Sequence, residues 1–341
     1  MNNTTVKEAP RAAWIESLIE KALSGRGIDR LDALELETLN AEELELLFEG
    51  TNRIREAFHG HQVKICSIVN AKSGRCPEVC GFCSQSAAFQ TESPEYPLMD
   101  VDTIVQRAKE AEAFGSNEFS IVTSGTAMTD RKELDTLKEA IRRIKAETKL
   151  ETCCSLGLMS TEHLKELKEA GLDRFHHNLE TSASHFEKIV TTHSYDDEVR
   201  AVQNAKEAGI PVCVGGIFGM GESFAQRVEL ALDIRELETD SLPVNFLKPQ
   251  EGTALEHLEV MPTIEGLRTI ALLRLVNPKL DMFVCGGREE VFGNQQEKLF
   301  SAGANGILGG NYLTTKGQDP KRDIEMIENL GLVPVLETLE S

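Results

Sequence analysis

The stretch Arg75-Cys-Pro-Glu-Val-Cys-Gly-Phe-Cys-Ser84 sets three cysteines, Cys76, Cys80 and Cys83, in a C-x3-C-x2-C spacing. Three thiolates on one short loop can hold three irons of a cubic 4Fe–4S cluster and leave the fourth iron open to a small chelating ligand. Zinc also takes thiolates, but its sites usually come as paired C-x2-C or His-bearing units, and this loop has no fourth ligand close by. The loop follows a β-rich run at 63–69, so it reads as the segment leaving a strand.

Outward from that loop, short β-rich runs alternate with amphipathic helical patterns. The strand candidates are 63–69, 118–123, 150–156, 174–178, 210–217, 241–247, 280–285 and 306–308. Helical periodicity falls at 101–114, 131–148, 161–170, 196–208, 223–237, 263–275 and 294–302. Phe114-Gly115, Ala170-Gly171, Ala208-Gly209 and Ala302-Gly303 read as helix C-caps before the next strand. Eight such units predict an α/β fold of the (β/α)8 TIM-barrel type, with an open doubly wound sheet as the alternative. We expect an N-terminal helical extension over 1–60, the barrel over 61–316 and a C-terminal helical tail over 317–341. In such a barrel the active site lies at the C-terminal ends of the strands, where the cysteine loop begins.

The chain of 341 residues carries 56 acidic against 36 basic side chains, a net charge of −20. That surface repels phosphate backbones and argues against a nucleic-acid partner. The first residues lack the apolar core of a secretory signal, and no apolar run approaches the length of a membrane span. A cytoplasmic location is expected, in which eight cysteines serve metals or catalysis rather than disulfides. Cys66, Cys153, Cys213 and Cys285 fall on four separate strand candidates, with Cys154 beside Cys153. Only one of those two neighbours can face the barrel interior. Buried cysteine is most often a small apolar residue. Four on alternate strands instead suggest a second metal–sulfur site.

The cysteine triplet resembles that of the radical S-adenosylmethionine (SAM) enzymes, and from 63 to 315 the chain is similar to the biotin synthase family. The matching stretches include Lys72-Ser-Gly-Arg-Cys-Pro-Glu-Val-Cys-Gly-Phe-Cys-Ser-Gln-Ser86 and Gly171-Leu-Asp-Arg-Phe-His-His-Asn-Leu-Glu-Thr-Ser182. Ile210-Pro-Val-Cys-Val-Gly-Gly-Ile-Phe-Gly-Met-Gly-Glu222, Pro243-Val-Asn-Phe-Leu247 and Gly286-Gly-Arg-Glu-Glu290 follow in order. The resemblance implies a sulfurtransferase that converts dethiobiotin to biotin, with SAM bound at the 4Fe–4S cluster. It also implies a sacrificial auxiliary Fe–S cluster, an electron donor such as flavodoxin or ferredoxin, and a homodimer. Hydrogenase-maturation or methylornithine-type enzymes share the barrel and are the alternative.

Carried over by position, Cys76, Cys80 and Cys83 would hold the SAM-binding cluster. Phe82, Ser124, Asn178, Glu180, His193, Gly216 and Ile217 would contact SAM. His176, Asn178 and Asn245 would contact substrate, with His176 replacing an asparagine and His193 an arginine. Around the auxiliary cluster the family pattern has three cysteines and an arginine, which Cys153, Cys213 and Arg288 match. The remaining cysteine position is Ser120 here, while Cys66 and Cys285 stand where serine is usual. The resulting expectation is a cluster of the [2Fe–2S] or a four-iron type, held by Cys153, Cys213 and Cys285 with Cys66 or Arg288. Asp173 and Arg174 read as surface residues opening the fourth strand.

Overall fold

A computed structural model describes residues 5–315 and 317–335. The outermost parts of the expected extension (1–4) and tail (336–341) lie outside the described residues. Among the described residues ten parallel strands are present: β1 Gln62–Lys72, β2 Glu118–Thr123, β3 Glu151–Ser155, β4 Arg174–His176, β5 Val212–Cys213, β6 Gly216–Phe218, β7 Ser241–Phe246, β8 Asp281–Val284, β9 Gly306–Leu308 and β10 Val333–Pro334. Pairing runs β1-β2-β3-β4-β5-β7-β8-β9, and β9 returns to β1 through Ile65↔Ile307. The sheet is therefore closed, which excludes the open doubly wound alternative.

The expected strand at 210–217 is split into β5 and β6, which share one stave against β7. The break lies opposite Pro243, which has no N–H to give the ladder. At the same point a Cβ on Gly215 would stand 1.9 Å from the Pro243 carbonyl oxygen, so only glycine fits.

Helices cover the barrel. Several begin on a side-chain cap (Asp100, Asp130, Ser160, Ser194 and Ser223) that accepts a hydrogen bond from a first-turn N–H. The glycines at 115, 171, 209 and 303 follow helix ends with positive φ, the conformation an L side chain resists. The pattern at 294–302 forms only a short 3-10 turn and the helix Lys298–Ser301, while Ala183–Ile189 and Arg288–Phe292 are short helices that periodicity did not reveal. Helices Thr5–Leu23, Arg30–Glu35 and Ala41–His59 precede β1, the last opened by a reciprocal Asn40–Glu43 capping box. The second packs on helix Phe224–Glu236, while the first and third pack on helix Thr263–Val276, whose residues 266–276 are all buried. A helix covered on both sides has no polar face, which accounts for its apolar run. After helix Pro320–Asn329, β10 joins the start of β1 in parallel. Among the described residues no helix is long and apolar enough to cross a membrane.

The N-terminal end of the barrel is closed by polar side chains. Lys64 Nζ donates to Asp281 Oδ2 at 2.6 Å, and Asn305 Nδ2 donates to Asp281 Oδ1 at 2.7 Å. Asn305 Oδ1 accepts from the Met282 N–H at 2.7 Å and from fully buried Arg274 Nη2 at 2.9 Å. One side chain thus joins β8, β9 and a buried cation. Asn305→Ala should strand these donors and cost on the order of 2–5 kcal/mol. Urea unfolding measures it; a loss below about 1 kcal/mol would show that closure does not depend on this group.

Candidate active site

The loop carrying Cys76, Cys80 and Cys83 leaves β1 and folds back over the barrel mouth. Its backbone is fixed by Cys76 N–H to Gln85 O at 3.0 Å, Ala87 N–H to Cys76 O at 2.8 Å and Gly81 N–H to Ile189 O at 2.7 Å. Glu78, between the first two cysteines, accepts from Thr126 Oγ1, Thr192 Oγ1 and the His193 ring. Ser124, just past β2, donates to Gly74 O at 2.8 Å. Cysteine spacing makes the donor set; Glu78 anchors its loop to the segment after β2 and to the turn that follows helix Ala183–Ile189.

Below the loop lies a cavity of about 450 Å³ lined by Cys76, Cys80, Cys83, Phe82, Ser124, His176, Asn178, Glu180, His193, Ile217 and Asn245. Cys66, Cys153, Cys213 and Cys285 line its deeper part, from β1, β3, β5 and the residue after β8. Cys153 faces inward and Cys154 is buried in the surrounding apolar core, which resolves the choice between them. All eight cysteines are free thiols. Burial pushes Cys213 up to about 12 and Cys83 up to about 11, and raises Cys66, Cys80, Cys153 and Cys285 further. Without metal these thiols keep their protons, so loading a cluster must release them. Among the described residues no three His, Cys, Asp or Glu side chains converge on a point where one metal ion could sit. Two thiol-only sets suit iron–sulfur chemistry.

At mid-depth the polar groups are unevenly satisfied. Asn245 is held at both ends of its amide, accepting from Gly286 N–H at 3.1 Å and donating to Gly216 O at 3.3 Å. Asn178 Oδ1 is buried without a partner among the described residues and opens on a ligand-sized space. A buried orphan acceptor costs about 1–3 kcal/mol, which a bound N–H or O–H donor would recover. Burial pushes Glu180 up to about 8, with the Glu198 charge adding to it, so its carboxyl is mostly protonated at neutral pH. Burial also pushes His176 down to about 4, leaving a neutral ring.

His193 is the opposite case. Its Nδ1 meets Glu78 Oε2 at 2.8 Å and its Nε2 meets Glu198 Oε1 at 2.9 Å. Burial works against the charged ring, yet the hydrogen bonds to Glu198 and Glu78 outweigh it and raise its pKa to about 9. The second Glu198 oxygen contacts His177. At neutral pH the position therefore carries a cation, as an arginine would.

Two carried-over residues do not line the cavity. Gly216 pairs with Glu180, where a Cβ would come within 2.7 Å of the Glu180 carbonyl oxygen. Its place supports Glu180 and Ile217 rather than the cavity wall. Arg288 is fully buried, with Nη2 donating to Asp323 Oδ1 and Oδ2 at 2.8 and 2.6 Å and Nη1 donating to Gln296. Arg174 corrects the expectation of a surface residue. Its side chain is 14 % exposed and paired with Glu118 at 3.0 Å. Glu78, Glu118 and Glu198 also line the cavity and escaped the sequence reading. For Glu78 the available signal was its place inside the cysteine motif.

The barrel and its three-cysteine loop define a radical SAM enzyme: residues 71–234 match the radical SAM superfamily, and 243–333 the biotin and thiamin synthesis associated domain. The fold is shared with methylornithine synthase (PylB; TM-score 0.81, 24 % identity, 93 % of this chain and 97 % of that one). It is shared equally with the [FeFe]-hydrogenase maturase HydG from Carboxydothermus hydrogenoformans (TM-score 0.78, 17 % identity, 94 % and 79 %). Sequence separates these from nearer relatives. Biotin synthase of Geobacter sulfurreducens is 48 % identical over 93 % of this chain and 96 % of its own. That of Geotalea daltonii is 48 % identical over 93 % and 97 %. The chain belongs to the biotin synthase family.

The His193 pKa carries a stability consequence. A pKa raised from 6.5 to about 9 on folding adds stability that is full below pH 6.5 and lost as pH climbs through about 9. His193→Gln should therefore destabilise the protein more at pH 6.5 than at pH 9.5. Urea unfolding at both values tests this, and equal losses would contradict a charged ring.

Proposed function

We infer that the chain inserts sulfur between an unactivated methyl and an unactivated methylene carbon of dethiobiotin, giving biotin. No acid–base side chain can break such C–H bonds, which is why the mouth of the barrel is built for a cluster and SAM. When bound, the mouth cluster supplies the electron that splits SAM into methionine and a 5′-deoxyadenosyl radical, and the inner cluster supplies the sulfur atom. Two C–H bonds must break, so two SAM molecules are used per biotin.

The observation that carries this reading is the vertical order of one cavity: three thiols at the mouth, polar groups at mid-depth, four thiols beneath. The Cys76, Cys80 and Cys83 thiols hold the mouth cluster. Phe82 packs on the adenine, and Ser124 stands at the methionine amino group. The His193 cation faces the carboxylate of SAM. Asn178 and Glu180 take the ribose, with Ile217 closing beside it and Gly216 acting through the Glu180 backbone. His176, Asn178 and Asn245 orient the substrate. Cys66, Cys153, Cys213 and Cys285 hold the auxiliary cluster, a four-thiol set that suits either a [2Fe–2S] or a four-iron type. Arg288 lies behind this ring, committed to Asp323 and Gln296. A 1–60 extension, a 61–316 barrel and a 317–341 tail remain the division we propose, with a flavodoxin or ferredoxin as reductant, a homodimer and a cytoplasmic setting.

Anaerobically reconstituted protein with dethiobiotin, SAM and a reductant should form biotin, read by mass spectrometry. Formation of 5′-deoxyadenosine without biotin would instead support the methylornithine or hydrogenase-maturation alternative. The Cys76→Ala/Cys80→Ala/Cys83→Ala protein should lose nucleoside release yet keep iron and sulfide. Protein stripped of all iron by those three changes would end the two-cluster reading.

A further inference from the structure

We propose that Arg174 is a positioning residue for the auxiliary cluster, supplying the positive charge and the free N–H that hold anionic sulfur in the closed end of the barrel. The proposal rests on the assignment of the four inner cysteines to a cluster.

Three observations carry it. Arg174 opens β4 directly opposite Cys153 on β3, and the next inward residue of β4, His176, is opposite Cys213 on β5. Its charge therefore sits one rung from two proposed ligands, and both thiols feel it. Next, its guanidinium is only partly used. Nη1 donates to Glu118 Oε2 at 3.0 Å and Nη2 to Glu151 Oε2 at 3.5 Å, while Nε is buried with no acceptor among the described residues, just behind the cavity wall formed by Glu118, Cys153 and Cys213. A buried N–H left unpaired costs about 1–3 kcal/mol, and a cluster sulfide or thiolate is the acceptor chemistry this end of the barrel would offer.

The third observation is charge. Glu118 is the register partner of Cys66, lines the cavity, and has its Oε1 buried without a partner. A thiolate-ligated iron–sulfur cluster is itself negative, so Glu118 alone would repel it in a low-dielectric interior. Arg174 neutralises Glu118 and leaves its own Nε for sulfur. Arg288 shows the same pattern, its Nε buried without a partner among the described residues and its terminal nitrogens bound to Asp323 and Gln296, but its charge acts on Cys285 rather than on Cys153 and Cys213.

The test uses the full-length Cys76→Ala/Cys80→Ala/Cys83→Ala protein, reconstituted with iron and sulfide, so that only the inner cluster is seen. Its midpoint potential is followed by redox titration with electron paramagnetic resonance, alongside iron and sulfide counts. Arg174→Gln should shift the one-electron equilibrium about tenfold toward the oxidised form, a midpoint ~59 mV more negative. Glu118→Gln, which removes the repelling charge and leaves Arg174 in place, should shift it the other way. Arg174→Lys keeps the charge without Nε and should fall between parent and Arg174→Gln. Should Arg174→Gln strand Glu118 and Glu151 and fail to fold, the lysine and Glu118→Gln variants decide. Iron-loaded variants that all titrate at the parent potential overturn the role of Arg174 alone. A parent protein that binds no iron overturns the cluster assignment and, with it, this role.

Discussion

The return of β9 to β1 is the constraint on which everything else in this protein rests. A closed parallel barrel points every strand the same way, so the ends of all eight staves form one rim. Residues far apart in sequence, from Cys66 to Tyr312, then share one cavity. The opposite end is stopped by Lys64, Asp281, Asn305 and Arg274, whose polar groups satisfy one another. A barrel open at both ends could not keep a sulfur-donating centre out of water.

This interior is not the layered Val/Ile/Leu packing common in such barrels. Thiols, carboxyls and amides share the inward positions with Ile68, Val122, Phe283 and Leu308, and a cavity remains between them. Apolar stabilisation is displaced outward, to the continuous layer between the outer strand faces and the helices, where Ile121, Cys154, Phe175, Val214, Val244 and Val284 are buried. The inside is free to be polar because the outside carries the packing. The helical pieces before β1 extend the same strategy by burying the helix Thr263–Val276 on its far side.

Charge is distributed by a similar logic. The chain is strongly acidic overall, yet four carboxylates in and behind the barrel have a cation beside them. Glu118 has Arg174, Asp323 has Arg288, and Glu78 and Glu198 share His193. Buried ion pairs contribute little net stability, because desolvation offsets attraction. Their value here is placement: one fixed cation at the cavity mouth and another beside the inner cysteines.

Much of this was legible in the residues alone. The three-cysteine loop is a local motif whose chemistry depends on spacing. The β/α rhythm is local too, and glycines after helices marked the turns. Reading failed where long-range register intervened. Arg174 looked like a surface residue because a strand of three residues gives no usable alternation, and only pairing with β3 shows which way it faces. Glu198 sits in the first turn of an ordinary acidic helix, and nothing in its neighbours announces His193 or His177 across the mouth. Arg288 matched a motif position, and its bond to Asp323, thirty-five residues on, is a long-range contact that no local pattern announces.

The sequence by itself determined which atoms are available, because thiol spacing, helix caps and strand composition act over a few residues. Tertiary structure alone decided which of them meet. Barrel closure and strand register fix that, and both depend on contacts between residues too distant in the chain for any local pattern to encode.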